Sequence, residues 1–569
     1  MLINKYKEIL LLVILSLMFV SLSTSFIFNS APTYDEGVHL TSGYSYWRTG
    51  KVFLNADNHP PFTERFAAIP LLFMDVSFFG RHPHFIRSSE YNFSDIFIYY
   101  NRVKAEKLIN SGRFAILALG LLLGWLVFFW SKEFYGWKAG IFSFFILVFN
   151  PNIIANSSLV TTDIGFTLGF YASIFFIYMF LKKPGLLKGF LLGIFLGVCI
   201  TSKFPGLIIL PIISALFLYY FLKHKFNFIF PDTVKQLACM IIGFFAIAVF
   251  SYGFDELPVY FVGLNNTFRL MEQGRSTFLC GDYSIRGWWY YFIISFLIKN
   301  QIIFILLLLL ILVKLIKTSV KTRSFLTDEV LFLLFPAVVY FFIASASKVH
   351  IGHRHILPIY PFIAVMMGSF INGFKTEKYR NFSIYSVVIL YLSGTVFCTP
   401  NYLTYFNIFA GGSKNGYKYM IDSNLDWGQG LKNLGRYIKE NNIGPIYLSY
   451  FGTADPNYYG IQYRPVGFVS TLTRKGNPVD ISKEKRKIIA ISATNLQANY
   501  YNDKSTFDYF RAQKPTKVID HSILVYDITS DLKANVYLRE LFRSVDDKDL
   551  VLMQEKIIKG IENEFMGSD

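Results

Sequence analysis

The residues best suited to chemistry begin with Asp35 and Glu36, side by side in "NSAPTYDEGVHL", directly after the apolar run 9–29. A carboxylate held at the mouth of a membrane cavity can act as a general base on an incoming hydroxyl. The same residues fit a capping box, with Thr33 capping a helix, Glu36 three residues on, and Asp35 favouring the helix N-terminus. The two uses are compatible, since a capped helix holds a carboxylate rigidly. "NADNHPPFTERF" adds Asp57, His59 and Glu64. Its proline pair bars a helix just before it, and the resulting turn could carry His59 toward the acidic pair as a hydrogen-bond donor or metal ligand. "TTDIGF" sets Asp163 at the head of another apolar run, where capping is the ordinary role.

The cations follow a related pattern. Lys203 lies in "ITSKFPGL", a very short turn between two apolar runs, and Arg354 lies in "SKVHIGHRHILP" beside Lys348, His350, His353 and His355; Arg113 opens a third run. Short turns on the non-cytoplasmic side of a membrane should avoid Lys and Arg. A membrane-embedded phosphate would justify the exception, because both side chains pair well with phosphate oxygens; snorkelling to lipid headgroups is the plainer alternative. His59, His353 and Trp288 are candidates to line such a site. "HIGHRH" has no paired carboxylate at defined spacing and is weak as a metal cluster, so the metal is unknown and a divalent cation stays open. In "DSNLDWGQG", Asp422, Asp426, Trp427 and Gln429 read as a turn packed on the membrane part, or as acceptor-binding residues, since Trp stacks on sugar faces.

The elements that must position these residues are membrane helices. Of the 569 residues 53% are hydrophobic, 18% aromatic and only 16% charged, against about 25% charged in a soluble domain. The net charge of +17 sits largely in short loops such as "SKEFYGWK", "LKKPGLLK", "FLKHKFNF", "VKLIKTSVKTR" and "FKTEKYR". Positive-inside bias explains that pattern and nucleic-acid binding does not. The apolar runs predict eleven spans, near 9–29, 113–131, 138–155, 163–181, 186–202, 205–222, 236–253, 301–317, 329–346, 355–372 and 383–399. With the N-terminus inside, the lysine-rich loops are cytoplasmic and the C-terminus is outside. Lys5 and Lys7 before the first run also fit a signal peptide, which leaves Asp35 on the same outer side. The long loop 30–112 and the aromatic segment 254–300, with an interfacial helix at 287–298, then face outward. Residues 1–400 form the membrane domain. Residues 401–569 read as a soluble α/β domain, with strands in "GPIYLSYFG", "RKIIAISA" and "TKVIDHSILVYDI", a helix in "DWGQGLKNLGRYIKENN" and terminal helices. The four cysteines imply no disulfide framework.

Five features occur in order: "YDEGVH" after the first span, "HPPF", "TTD" before the fourth span, "SKFPGL" after a glycine-rich span, and "GHRHILPIYP". Together they resemble the GT-C membrane glycosyltransferases, in the branch of the protein O-mannosyltransferases and aminoarabinose lipid A transferases. The resemblance covers roughly residues 1–400. It implies a polytopic α-helical enzyme that moves a sugar from a polyprenyl-phosphate donor to a protein, lipid or glycan acceptor on the outer face of a membrane, a prokaryotic plasma membrane being expected. Asp35 matches the position that acts as base, Glu36 its usual neighbour, and Asp163 a second acidic position near the donor. Arg113, Lys203 and Arg354 match cations placed around the carrier phosphate. Where aminoarabinose transferases have a Glu-Lys pair before the proline, with the Glu as metal ligand, this chain has Asn58 and His59, which puts metal binding in doubt. A transporter or flippase is a second reading, although the polar residues gather at one face rather than at mid-membrane. An envelope assembly protein working through its soluble domain is a third.

Overall fold

The structure, a computed structural model, describes residues 2–224, 230–322, 327–374, 376–467, 479–544 and 546–566. Parts of the lysine-rich loops, at 225–229, 323–326 and 375, lie outside the described residues. Every predicted span is helical. Among the described residues seven helices are long and apolar enough to cross a membrane: Tyr6–Asn29, Ala105–Tyr135, Asp163–Lys182, Phe204–His224, Asp232–Tyr252, Ile302–Val320 and His353–Asn372. In hydrocarbon each backbone group must be satisfied within the segment, so such runs have no alternative to the helix.

The other four predicted spans depart from the simple picture. The run at 138–155 is two helices, Trp137–Val148 and Pro151–Ser157, bent by 69°. Pro151 cannot sit in a helix interior and takes the first position of a new helix; the Asn150 side chain caps it by accepting from the Asn152 N–H at 2.9 Å. Leu186–Ser202 and Val330–Ala346 are 17 residues each, about 25 Å of helix and shorter than a full hydrocarbon core. Glu377–Phe397 has the length, but its polar first turn, with Glu377, Lys378 and Arg380, keeps it out of the apolar class.

Leu186–Ser202 is held by close approach. Gly189, Gly193 and Gly197 form one stripe against Asp232–Tyr252, where an added Cβ would stand 2.7 Å from Gln236 O, 1.9 Å from Met240 O and 2.7 Å from Ile247 Cβ. Gly243 answers from the other helix, 2.3 Å from Phe190 O. Small residues every fourth position let two membrane helices touch backbone to backbone. This pair carries Lys203 at its end.

The segment 254–300 forms a helix (Val259–Gln273), a hairpin of β1 (Thr277–Leu279) and β2 (Asp282–Ser284), and the helix Tyr291–Lys299. The last overlaps the stretch 287–298 expected to form an interfacial helix. It buries Tyr291, Phe292, Ser295, Ile298 and Lys299 and exposes Ile293 and Leu297.

The C-terminal part holds a five-stranded sheet of β3 (Ile446–Ser449), β4 (Tyr463–Pro465), β5 (Ile488–Ser492), β6 (Lys517–Ile519) and β7 (Ile523–Asp527), in the order β4-β3-β5-β7-β6. β4, β3 and β5 run parallel; β7 is antiparallel to β5 and β6. The helix Leu431–Glu440 buries Leu431, Leu434 and Ile438. The predicted strands are present, and β4 is additional.

The sheet is joined to the bundle through polar contacts. Ala31 and Tyr34 donate backbone N–H groups to Gln429 O and Trp427 O at 2.9 and 2.8 Å. Asn424 donates to the Tyr291 hydroxyl at 2.9 Å and accepts from the His353 N–H at 2.8 Å. The buried Lys299 ammonium donates to Leu403 O and Asn424 O at 2.8 and 2.7 Å. The turn "DSNLDWGQG" is therefore packed on the membrane part.

Candidate active site

Glu36 and Arg113 form a pair with no solvent exposure. The guanidinium gives Nε–H to Glu36 Oε1 at 2.8 Å and Nη2–H to Oε2 at 2.7 Å. Its remaining donors go to Ile27 O, Ser30 O and Ala31 O at 2.9–3.0 Å. Glu36 also accepts from the backbone N–H of Thr33 (2.8 Å) and Val160 (2.9 Å). All five donors of Arg113 are thus used within the protein. The structure does not bring Arg113 to a phosphate site, nor Glu36 to a reacting atom; together they pin the chain at 27–36 to the turn that leads into Asp163. The reach of Glu36 to the Thr33 N–H is one half of the expected capping box; the helix Glu36–Thr49 has no side-chain cap at its N-terminus.

With its neighbour locked, Asp35 points the other way, into two adjoining cavities. The larger, about 500 Å³, is bounded by Asp35, His39, His59, Glu90, Lys203 and Arg354 among others. The smaller, about 300 Å³, is lined from the C-terminal part by Asp422, Trp427, Phe451, Asn495 and Tyr500. Asp35, Arg275, Ile351 and Arg354 line both.

The cations are fixed by one acid. Asp163, almost fully buried, accepts from Lys203 Nζ at 2.6 Å and from Arg354 Nη1 at 3.4 Å. Arg354 Nη2 lies 3.6 Å from Asp35, and its guanidinium lies 4.1 Å above the Trp427 ring. Asp163 thus sits behind Lys203 and Arg354 and pairs with both, and those two cations face the larger cavity.

Beneath Asp35 a second polar group assembles. His39 Nδ1 is 2.8 Å from Glu64 Oε1, which also accepts from Asn55 at 2.6 Å. Burial alone would lower His39; the Glu64 carboxylate beside it prevails and holds it above its ordinary value. His59 lies 5.0 Å from His39 ring to ring. Burial, together with His39, Lys203 and Arg354, keeps it well below the usual histidine range, hence neutral. Burial pushes Glu90 up to about 7, with Glu64 adding to the effect. Among the described residues no group of three or more His, Cys, Asp or Glu is arranged to hold a metal ion. Asn58, where a metal-ligating carboxylate would be expected, donates to Asn55 Oδ1 and Glu90 Oε1.

Two of the expected lining residues lie elsewhere. His353 is buried between Ser295 and Tyr360 and serves the joint with the C-terminal part. Trp288 gives its backbone N–H to His350 at 3.2 Å and borders neither cavity. Arg275 was not anticipated: the segment 254–300 also holds Arg269 and Arg286, and nothing in the sequence sets Arg275 apart from them.

Residues 105–252 match the family model for dolichyl-phosphate-mannose-protein mannosyltransferase, a stretch that includes Arg113, Asp163 and Lys203. The chain is similar to these membrane glycosyltransferases. Among solved structures, ArnT from Cupriavidus metallidurans bound to undecaprenyl phosphate aligns at 13% identity and TM-score 0.47, over 91% of this chain and 97% of that one. The Archaeoglobus fulgidus oligosaccharyltransferase in the apo form aligns at 11% identity and TM-score 0.47, over 89% of this chain and 72% of that one. The same organism's AglB with an inhibitory peptide and a dolichol-phosphate aligns at 12% identity and TM-score 0.45, over 88% and 71%. No curated protein sequence matches.

Arg113→Met strands the Glu36 carboxylate in a dry site and is expected to destabilise the protein by about 3–5 kcal/mol. The melting temperature in detergent reports this, and an unchanged value would contradict it. Glu90 titrates near 7 in a cavity it shares with Lys203 and Arg354, with Glu64, His39 and Asp35 as its charged neighbours. It is neutral below that pH and negative above it, so its ionisation should weaken binding of a lipid phosphate as pH rises from 6 to 8. Glu90→Gln should flatten that pH dependence in a vesicle-binding assay; an identical profile would rule Glu90 out as its source.

Proposed function

We propose that this chain is a glycosyltransferase that moves a sugar from a polyprenyl-phosphate donor to an acceptor hydroxyl on the extracytoplasmic face of the membrane, with inversion at the sugar carbon. The observation that carries the reading is the position of Asp35 where two cavities join, with Lys203 and Arg354 facing the larger one. The family match over 105–252 supports a sugar carried on a polyprenyl phosphate.

In this account the lipid phosphate lies in the larger cavity against Lys203 and Arg354, and the acceptor enters the smaller one. Asp35 takes the hydroxyl proton as the acceptor oxygen bonds to the anomeric carbon. The bond from that carbon to the phosphate oxygen breaks with its electron pair going to oxygen. Lys203 and Arg354 stabilise the charge that develops there, prealigned by Asp163 so that little reorganisation is needed. A lipid phosphate is already a good leaving group, so no strong general acid is required. One displacement from the face opposite the phosphate inverts the carbon. The charge bias of the loops supports an outer position for Asp35 and the C-terminal part.

The test is consumption of labelled polyprenyl-phosphate monosaccharides by membranes holding wild type or Asp35→Asn. Wild type should consume at least one donor, and the variant should be slower by about 10²–10⁴-fold. A variant as fast as wild type would refute the role of Asp35. The product anomer, read by NMR, should be opposite to that of the donor.

A further inference from the structure

The smaller cavity owes its place to the topology of the sheet. The chain passes from β3 to β4 on one side of β3, while β5 lies on the other. The segments leaving the carboxyl ends of β3 and β5 therefore diverge, and a crevice opens between them, the usual ligand position in an open α/β sheet. Phe451 follows β3, and Asn495 and Tyr500 follow β5; all three line the cavity. The crevice is closed by the membrane part, through Tyr34, Asp35, Arg275, Ile351 and Arg354.

Its lining has a definite chemistry. Tyr34 and Phe451 stack at 5.1 Å, and Phe451 and Tyr500 at 5.5 Å, giving a column of three rings. Around it stand Asp35, Asp422, Asn495, Arg275 and Arg354. Asp422 is held with φ +57, accepting from the Tyr500 hydroxyl and from the Ser423 N–H; an aspartate in the left-handed region survives only where its surroundings fix it. The lining thus presents carboxylates and guanidiniums together rather than charge of one sign. Among the described residues Ile351 is the one aliphatic side chain in the lining, which is otherwise aromatic, charged or amide. The strands at the open edges of the sheet, β4 and β6, lie outside the crevice, so an extended peptide would find no backbone to pair with there. A sugar ring has an apolar C–H face for aromatic rings and a rim of hydroxyls that both donate and accept, which suits carboxylate, amide and guanidinium together.

We infer that this crevice is the acceptor subsite and that its ligand is a saccharide, so the hydroxyl presented to Asp35 belongs to a glycan. The inference rests on the glycosyltransferase reading above. The experiment uses the full chain in nanodiscs with a panel of polyprenyl-phosphate monosaccharides as donors. The acceptors are tagged di- and trisaccharides, a Ser/Thr-rich peptide and a hydroxylated lipid. The expected result is product on a saccharide, with Phe451→Ala and Asn495→Ala raising the saccharide KM about tenfold or more, a loss of about 1.4 kcal/mol, and Phe451→Tyr restoring it. Donor consumption with product on peptide or lipid alone overturns the saccharide assignment and leaves the glycosyltransferase reading standing. Unchanged KM in both alanine variants also overturns it. No donor consumption with any acceptor overturns the underlying reading and the inference with it. The wild-type acceptor preference decides the question even where a variant fails to fold.

Discussion

The buried pair of Glu36 and Arg113 is the constraint on which the site depends. Removing two charges from water costs several kcal/mol each, and such a pair is tolerable only when every donor and acceptor is met. Here the guanidinium is fully used, and the carboxylate takes two further backbone N–H groups. The partners come from the end of the first helix, from the helix Ala105–Tyr135 and from the turn before Asp163. One ion pair therefore fixes three pieces of chain around Asp35. Adjacent residues on the first turn of a helix point in different directions, so locking Glu36 inward turns Asp35 toward the cavities.

The charges that remain are distributed for use. Asp163 spends its own charge on Lys203 and Arg354 and holds both at the cavity wall. Arg354 also rests on Trp427, which belongs to the C-terminal part. The cationic wall is thus shared between membrane helices and sheet, and the crevice at β3 and β5 is walled on the membrane side by Tyr34, Asp35, Arg275, Ile351 and Arg354. In this arrangement the C-terminal part is a wall of the site rather than an appendage.

Much of this was legible in the sequence, and the rest failed for definable reasons. Hydropathy located every bundle helix, because the bilayer leaves the chain few choices. It ran a single span through Pro151, where the missing N–H forces a break, and it placed a span at 383–399, where the helix starts earlier, at Glu377, with a polar turn. Residue type and side of the membrane brought out Asp35, Lys203, Arg354 and Asp163 together. The same reasoning also selected Arg113 and Glu36, because composition cannot tell a cation awaiting a ligand from one already satisfied by carbonyls of residues 27–31. His353 and Trp288 were chosen for their neighbours in sequence, whereas their contacts run to Tyr360 and His350. The wall supplied by Phe451, Asn495 and Tyr500 was hidden, since those residues follow strands more than 400 positions from Asp35 in no motif of their own.

The central claim is that one cavity holds a lipid phosphate against Lys203 and Arg354 with Asp35 across from it. The most direct measurement is a cryo-EM structure of the full chain in nanodiscs with an added polyprenyl phosphate. The account predicts phosphate density within hydrogen-bond distance of Lys203 and Arg354, in the cavity that Asp35 borders. Phosphate density at the other end of the bundle, with this cavity free of it, would contradict the account.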